Sequence, residues 1–335
     1  MKQLRKYLTT VMYHYVRDMH LTQYPGIKGV KTHQFKEQLG YFRRFYNFVS
    51  LSDCFRFLNG DADALPDNPL LLTFDDGFAD HYENVFPILR DFKISGVFFP
   101  PVMSVKDAKM LPVHKIHFIL AGADINSVIS EIKVQLDLKR KKYTDIPAFE
   151  ELFSKLAVPN HLDPGEVIFV KRLLQVELEE NLRNEITDQL FEKFTGESES
   201  EFAEKLYLNV SMIREMYDSG MEFGGHGYTH RWLNSINRDE QEAEVKKSLE
   251  FLRESGVITG SDCSFCYPYG GYDDSLLEIL RESGVAAAFT TKVDFSELSQ
   301  ENALTLERFD TVHFPFDKNV PPNEYTLKAL ELNNV

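Results

Sequence analysis

What the 335-residue chain lacks narrows its class first. No apolar run approaches the roughly 18 residues of a membrane-spanning helix. The basic start, MKQLRKYLTTVMYHYV, has only short apolar stretches broken by Thr, His and Arg17, too short for a signal-peptide core. Cysteine is scarce: Cys54, Cys263 and Cys266 are an odd set, and the CxxC formed by the last two has no second pair nearby to complete a four-ligand zinc site. A chain of this length buries a core large enough to need no disulfide staples, and structural thiols in a reducing, cytoplasmic protein are expected. Positive charge is in deficit, 37 Lys and Arg against 52 Asp and Glu, giving a net charge of −15. Such a balance argues against a nucleic-acid partner. No glycine-rich phosphate loop, internal repeat or low-complexity tract is present.

What is there reads as alternating strands and helices. The runs at 9–16 (TTVMYHYV) and 70–75 (LLLTFD) are β-branched, aromatic and apolar, as buried strands are. After Asp75-Asp76-Gly77, the apolar positions Val85, Ile88, Leu89 and Phe92 recur at helical spacing, and GVFFPPV reads as the next strand. The same rhythm resumes near 210: SMIREMYDSG as a helix, MEFGGH as a strand, a long amphipathic helix ending at Gly256, then SFCYPYGGY, SLLEILRESG and AAAFTT. An α/β fold follows, with ligand chemistry at the carboxyl ends of parallel strands. Residues 104–209 differ, being rich in charged helix formers, and read as a helical insertion between a first part, 1–103, and a second, 210–335.

Two features carry chemistry together: the adjacent carboxylates of LTFDDGF, Asp75 and Asp76, and the imidazoles of GGHGYTHRWL, His226 and His230. Two His and one carboxylate form a donor set for a first-row divalent metal that leaves positions open for water and substrate. On a helical turn, residues four apart point the same way, so both rings can reach one ion. Alternating directions let one Asp reach the metal while its neighbour faces the water; Asp76 is assigned to the metal and Asp75 to the base. Alone, an HxxxH is often coincidence and an Asp-Asp-Gly often a turn.

With YPYGGY as a third element, TFDDG, HxxxH and Pro-Tyr-Gly resemble the ordered motifs of the polysaccharide deacetylase family, the NodB-homology domain or carbohydrate esterase family 4. The resemblance covers about 8–103 and 210–310. It implies a distorted (β/α)7 barrel, Asp75 as general base, and Asp76, His226 and His230 holding a divalent metal, most simply Zn2+. VMYHYV and FCYPYGGY are similar to a branch that includes poly-N-acetylglucosamine deacetylases and takes its general acid from an N-terminal Tyr-His. That match implies His14 as the acid, with His313 of RFDTVHF as its competitor. It also brings Arg308 to the site, Tyr269 to the pocket wall, and a backbone N–H near Tyr267 to the oxyanion. Tyr267, Tyr269 and Arg308 are thus the expected substrate-binding residues. The family archetype carries an Arg before x-Pro-Tyr that orients the base; here Cys266 stands there, which leaves the tuning of Asp75 unassigned.

The activity implied is removal of an N-acetyl group from an amino sugar in a glycan, glycoconjugate or sugar-nucleotide intermediate, with an activated water as nucleophile. A deformylase on a small amino sugar, or a sugar-binding module without activity, are the alternatives. Phosphoryl transfer through an Asp nucleophile would leave the HxxxH idle. His114 and His117 of LPVHKIHF, in the insertion, are expected on a solvated surface.

Overall fold

The computed structural model describes residues 6–160, 163–258 and 262–333. The chain divides into two compact units: one takes residues up to 17, 29–107 and from 204 onward; the other takes 18–28 and 108–203. The second unit is thus close to the expected insertion, trimmed at both ends, and it also claims 18–28, a stretch no composition shift separates from its neighbours.

Nine strands are present among the described residues: β1 Tyr7–Tyr13, β2 Asn47–Phe48, β3 Pro69–Asp75, β4 Val97–Phe99, β5 Glu222–Phe223, β6 Cys263–Cys266, β7 Val285–Phe289, β8 Ser296–Glu297 and β9 Phe309–Asp310. Parallel pairing runs β5-β4-β3-β1, and β9 pairs parallel to β1 on its other side. β6 and β7 pair with each other. Two single parallel bridges, Gly225 to Phe265 and Phe289 to Leu306, connect this pair to the larger sheet on both sides. The ring is a distorted (β/α)7 barrel: seven parallel segments, two of the joints reduced to one bridge each. β2 and β8 are additions at β3 and β1.

The pattern of PLLLTFD follows from this position, since a strand inside a parallel barrel is covered on both faces and every residue of β3 is buried. Side-chain alternation separates the two faces. Leu70, Leu72 and Phe74 pack outward with helix residues such as Phe35, Leu89 and Leu249. Leu71 belongs to an inner group with Val97, Phe99, Phe289 and Leu306. Helices Phe86–Phe92, Val210–Asp218, Arg238–Glu254 and Asp274–Glu282 lie where the sequence spacing predicts them, and Thr32–Phe45 is a further helix between β1 and β2. The helix after the Asp pair opens with a π-turn over His81–Val85, a departure from the regular helix expected there.

The second unit is helical, built from Pro112–Gly122, Ile125–Lys139, Phe149–Leu156, Gly165–Arg172 and Glu180–Thr195 around a core including Ile116, Ile132, Leu136, Phe169, Ile186 and Leu190. His114, expected in solvent, is buried in it. No helix among the described residues is long and apolar enough to cross a membrane.

Candidate active site

Register places the chemistry. Tyr13 pairs with Phe74 across β1 and β3, so the next residues of these neighbouring parallel strands, His14 and Asp75, emerge side by side at the carboxyl end. The Gly225 to Phe265 bridge does the same for His226 and Cys266. Arg308 immediately precedes β9, and its side chain is fully buried.

Asp76 leaves β3 in the left-handed region, with φ of 72°, and Gly77 follows at 61°. At Gly77 a Cβ would lie 2.7 Å from the Pro100 Cβ, so both conformation and space require glycine. His226 and His230 do not sit on a helical turn as their spacing suggested. They flank a loop in which Gly227 and His230 take φ of 73° and 61°. That loop is fixed from beneath by helix Arg238–Glu254. Glu244 accepts hydrogen bonds from the Tyr228 and Thr229 N–H groups at 2.7 and 2.9 Å and from Thr229 Oγ1 at 2.6 Å, while Ser248 Oγ accepts from the His226 N–H at 3.2 Å. Asp76, His230 and Tyr269 are three of the six non-glycine residues with positive φ among the described residues, so backbone strain concentrates here, as at functional sites.

The loop and the Asp76 turn bring three donors together. His226 Nε2 and His230 Nε2 lie 3.2 Å apart, and each faces Asp76 Oδ1, at 3.4 and 3.3 Å. Ligands ~2.0–2.1 Å from a common tetrahedral ion are separated by roughly 3.3–3.4 Å, so the spacing fits a small divalent cation. The His226 ring nitrogen Nδ1 is 2.7 Å from the Cys266 carbonyl; donation of Nδ1–H there leaves the Nε2 lone pair toward the cluster. Asp75, His226 and Cys266 form a second candidate donor group. It already holds a cation, since the Arg308 guanidinium lies 3.1 Å from Cys266 Sγ and grips Asp75, which leaves the first group as the candidate metal donor set.

Asp75 is buried behind the cluster. Arg308 donates from its two terminal nitrogens to both carboxylate oxygens, at 2.8 and 2.7 Å, and from Nε to the Thr290 carbonyl at 2.8 Å. Burial raises the Asp75 carboxyl, but the guanidinium outweighs it and holds the group at about 2. A guanidinium is thus brought to Asp75 from the residue just before β9 and not from position 266. Arg308 is correspondingly removed from the substrate-contacting residues, because no part of it reaches the surface. Tyr267 is removed for the same reason: its ring is buried, its hydroxyl donates to the Leu304 carbonyl at 2.8 Å, and its N–H is taken by the Phe289 carbonyl at 3.1 Å. Tyr269 remains at the surface, with its ring centroid 4.7 Å from that of His230.

His14 Nε2 lies 4.0 Å from Asp75 Oδ2, and 41 % of the His14 side chain is exposed. His313 has its Nδ1 3.1 Å from the Asp310 carbonyl and its ring packed on Phe309 and Tyr325, so of the two imidazoles it is His14 that faces Asp75. The His14 segment is held by the turn after the Asp pair, a feature with no sequence signal. His81 Nε2 contacts the His14 carbonyl at 2.9 Å, Asn84 Nδ2 donates to the Val16 carbonyl at 2.8 Å, and Asp80 pairs with Arg17 at 2.6 Å. The π-turn lets 80, 81 and 84 face one segment together.

A parallel-strand barrel with a carboxylate and imidazole cluster beside an Arg-held aspartate defines an α/β protein with a candidate metal site. More narrowly, its fold is similar to that of polysaccharide deacetylases, and a family model described as polysaccharide deacetylase matches residues 193–288. The matched region contains His226 and His230, and the Asp pair lies before it. Among solved structures, the chain is similar to a Streptococcus pyogenes deacetylase, PplD, in complex with acetate, at 17 % identity and a TM-score of 0.57 over 99 % of this chain and 100 % of that one. It is also similar to IcaB from Ammonifex degensii, at 18 % identity and 0.54 over 97 % of each chain. A de-N-acetylase from Aggregatibacter actinomycetemcomitans matches at 15 % and 0.53, over 97 % of this chain and 100 % of that one. These likenesses concern the fold. No curated protein matches the chain in sequence.

Proposed function

We propose that the chain is a metal-dependent hydrolase that removes an N-acetyl group from an amino sugar carried in a glycan, glycoconjugate or sugar-nucleotide intermediate. The observation that carries this reading is the meeting, at one barrel end, of the three-donor cluster with an ionised aspartate and a solvent-facing imidazole on adjacent strands. A divalent cation held by Asp76, His226 and His230, most simply Zn2+, supplies Lewis-acid polarisation of the acyl carbonyl and acidifies a water.

The rest falls to the chain's own groups. Asp75, fixed by Arg308, is ionised throughout the physiological range and accepts the proton of the attacking water. His14, as imidazolium, gives a proton to the amide nitrogen as the C–N bond breaks, so acetate and a free amine leave. Tyr269 walls the pocket beside His230. The three buried free thiols suit a reducing compartment, in keeping with a cytoplasmic enzyme.

The test is release of acetate and formate from N-acylated sugars, sugar nucleotides and oligosaccharides by zinc- or cobalt-loaded protein, beside Asp75→Asn and a chelator-treated sample. Acetate that vanishes in both controls supports the reading, and formate alone changes the acyl group. Absence of bound metal together with absence of release overturns it in favour of a sugar-binding module.

A further inference from the structure

Strand β1 ends at Tyr13, so the segment that carries His14 is held by other means. Two backbone hydrogen bonds tie it to Val30: the Val30 N–H donates to the Tyr15 carbonyl at 2.9 Å, and the Arg17 N–H donates to the Val30 carbonyl at 3.0 Å. Three more polar groups of its backbone meet side chains from the turn that follows the Asp pair. Asn84 Nδ2 donates to the Val16 carbonyl at 2.8 Å, Asp80 Oδ2 accepts from the Val16 N–H at 3.3 Å, and His81 Nε2 lies 2.9 Å from the His14 carbonyl. Asp80 also takes the Arg17 guanidinium through both carboxylate oxygens, each at 2.6 Å.

Asp80 and His81 are buried, and a buried polar side chain is tolerated only where its partners are met. Here the partners are those of one short backbone segment. The Phe86 N–H reaches back five residues to the His81 carbonyl, an irregularity that in helices occurs mostly as single turns and often at functional sites. The supported segment places the His14 ring 4.0 Å from Asp75, with part of it open to solvent. The turn also continues directly from the base. Asp75, Asp76 and the three supporting side chains all lie within residues 75–84, so one stretch of chain relates base, metal donor and acid.

We infer that Asp80 and Asn84 are positioning residues for proton transfer to the leaving amine: acting through the backbone of residues 14–17, they fix where the His14 imidazole stands relative to Asp75 and the scissile amide. This rests on the amide-hydrolase reading of the site. The chemistry separates such a role from that of the base and the metal donors. When the C–N bond of an amide breaks, the electron pair goes to nitrogen, and a nitrogen anion is too basic to leave without taking a proton from the acid. An aryl acetate releases a stable phenoxide, which needs none. Displacing the acid therefore slows the first reaction and spares the second, whereas damage to Asp75 or to the donor cluster slows both.

The experiment uses full-length, zinc-loaded protein as wild type, Asn84→Ala, the isosteric Asn84→Asp, Asp80→Asn, and His14→Gln with and without Asn84→Ala. Acetate release is followed from N-acetylglucosamine oligosaccharides and from p-nitrophenyl acetate, with circular dichroism and zinc content as checks on folding and loading. In the Asn84 and Asp80 variants kcat on the amide should fall ~10–10²-fold, with ester turnover within about threefold of wild type. In the His14→Gln background, Asn84→Ala should cause no further loss on the amide, because the group it places is gone. Imidazole NMR signals of histidine-labelled protein read the ring directly, with His14 assigned by its absence from His14→Gln. Asn84→Ala should shift or broaden the His14 signal and leave those of His226 and His230 in place. The proposal is overturned by equal losses on amide and ester, by additive losses in the double variant, or by an unmoved His14 signal in a folded Asn84 variant. A His14 signal that moves, in a protein whose wild type releases no acyl group, keeps the placement of His14 by the turn and removes the hydrolase. Amide turnover that survives the Asn84 and Asp80 substitutions keeps the hydrolase and removes the positioning.

Discussion

Arg308 holds both oxygens of Asp75, at 2.8 and 2.7 Å, from a position where its own side chain is wholly buried. Removing one partner of such a pair strands the other's charge in the barrel, which costs about 3–5 kcal/mol. Arg308→Met is therefore expected to lower stability by that order in urea denaturation. It should also reduce kcat ~10²–10⁴-fold, because the base is neither oriented nor kept ionised by a neighbour. Metal content should stay near wild type, since the hydrogen bonds Arg308 donates go to Thr73, Asp75, Thr290 and Cys266. Loss of the metal along with activity would show that Arg308 supports the cluster instead of the base.

How much of this was legible in the sequence differs by residue. The strand around Asp75 and the helices after it carry periodicity, and the α/β alternation follows from it. Asp75, Asp76, His226 and His230 sit in short motifs whose residue types are themselves the chemistry. Arg308 was visible as a residue near the site, but its direction was not, because the turn into β9 that buries it is set by barrel closure and leaves no local mark. The conformation of the HxxxH loop was hidden for a related reason. Four-residue spacing fits a helical turn equally well, and the left-handed φ of His230 is imposed by Glu244 and Ser248, contributed by a helix later in the chain. Tyr267 reads as a site residue from its motif, yet strand alternation turns it into the core.

Glu244 gives the second prediction. It accepts three hydrogen bonds from the segment between the two His ligands, so Glu244→Ala releases Tyr228 and Thr229 and loosens the relative placement of both rings. Support of this kind for metal ligands is typically worth ~10–100-fold in affinity. Zinc affinity measured by competition with a chelator should fall by that order, and activity should recover at saturating metal. An unchanged affinity would mean that the loop holds its form without the clamp.

His14 and His313 are separated by a paired substitution. With His14 4.0 Å from Asp75 and His313 bound to its own turn, His14→Gln should reduce kcat ~10²–10⁴-fold with metal retained. His313→Gln should leave kcat within about threefold. The reverse ranking assigns the acid to the C-terminal histidine.

His81 makes a prediction about pH. Its ring lies among Phe74, Phe78 and Phe98, its Nε2 contacts the His14 carbonyl, and its buried Nδ1 has no hydrogen-bond partner among the described residues. The neutral tautomer with a proton on Nε2 satisfies that arrangement. A proton on Nδ1 has no acceptor, and burial accordingly lowers the group to about 4. The unfolded chain has a histidine near 6.5, so below that pH the unfolded state takes up a proton that the folded state refuses, and stability falls as pH drops from about 6.5 toward 4. At pH 5 the loss from this one group is about 2 kcal/mol, taking 1.36 kcal/mol per unit over the interval from 6.5. Urea denaturation of wild type and His81→Gln at pH 7 and pH 5 isolates it, since other titrating groups are common to both proteins. The variant, whose side-chain amide can still donate to the His14 carbonyl, should lose about 2 kcal/mol less than wild type between the two pH values. Equal losses would show that water reaches Nδ1 and that the pocket is not closed.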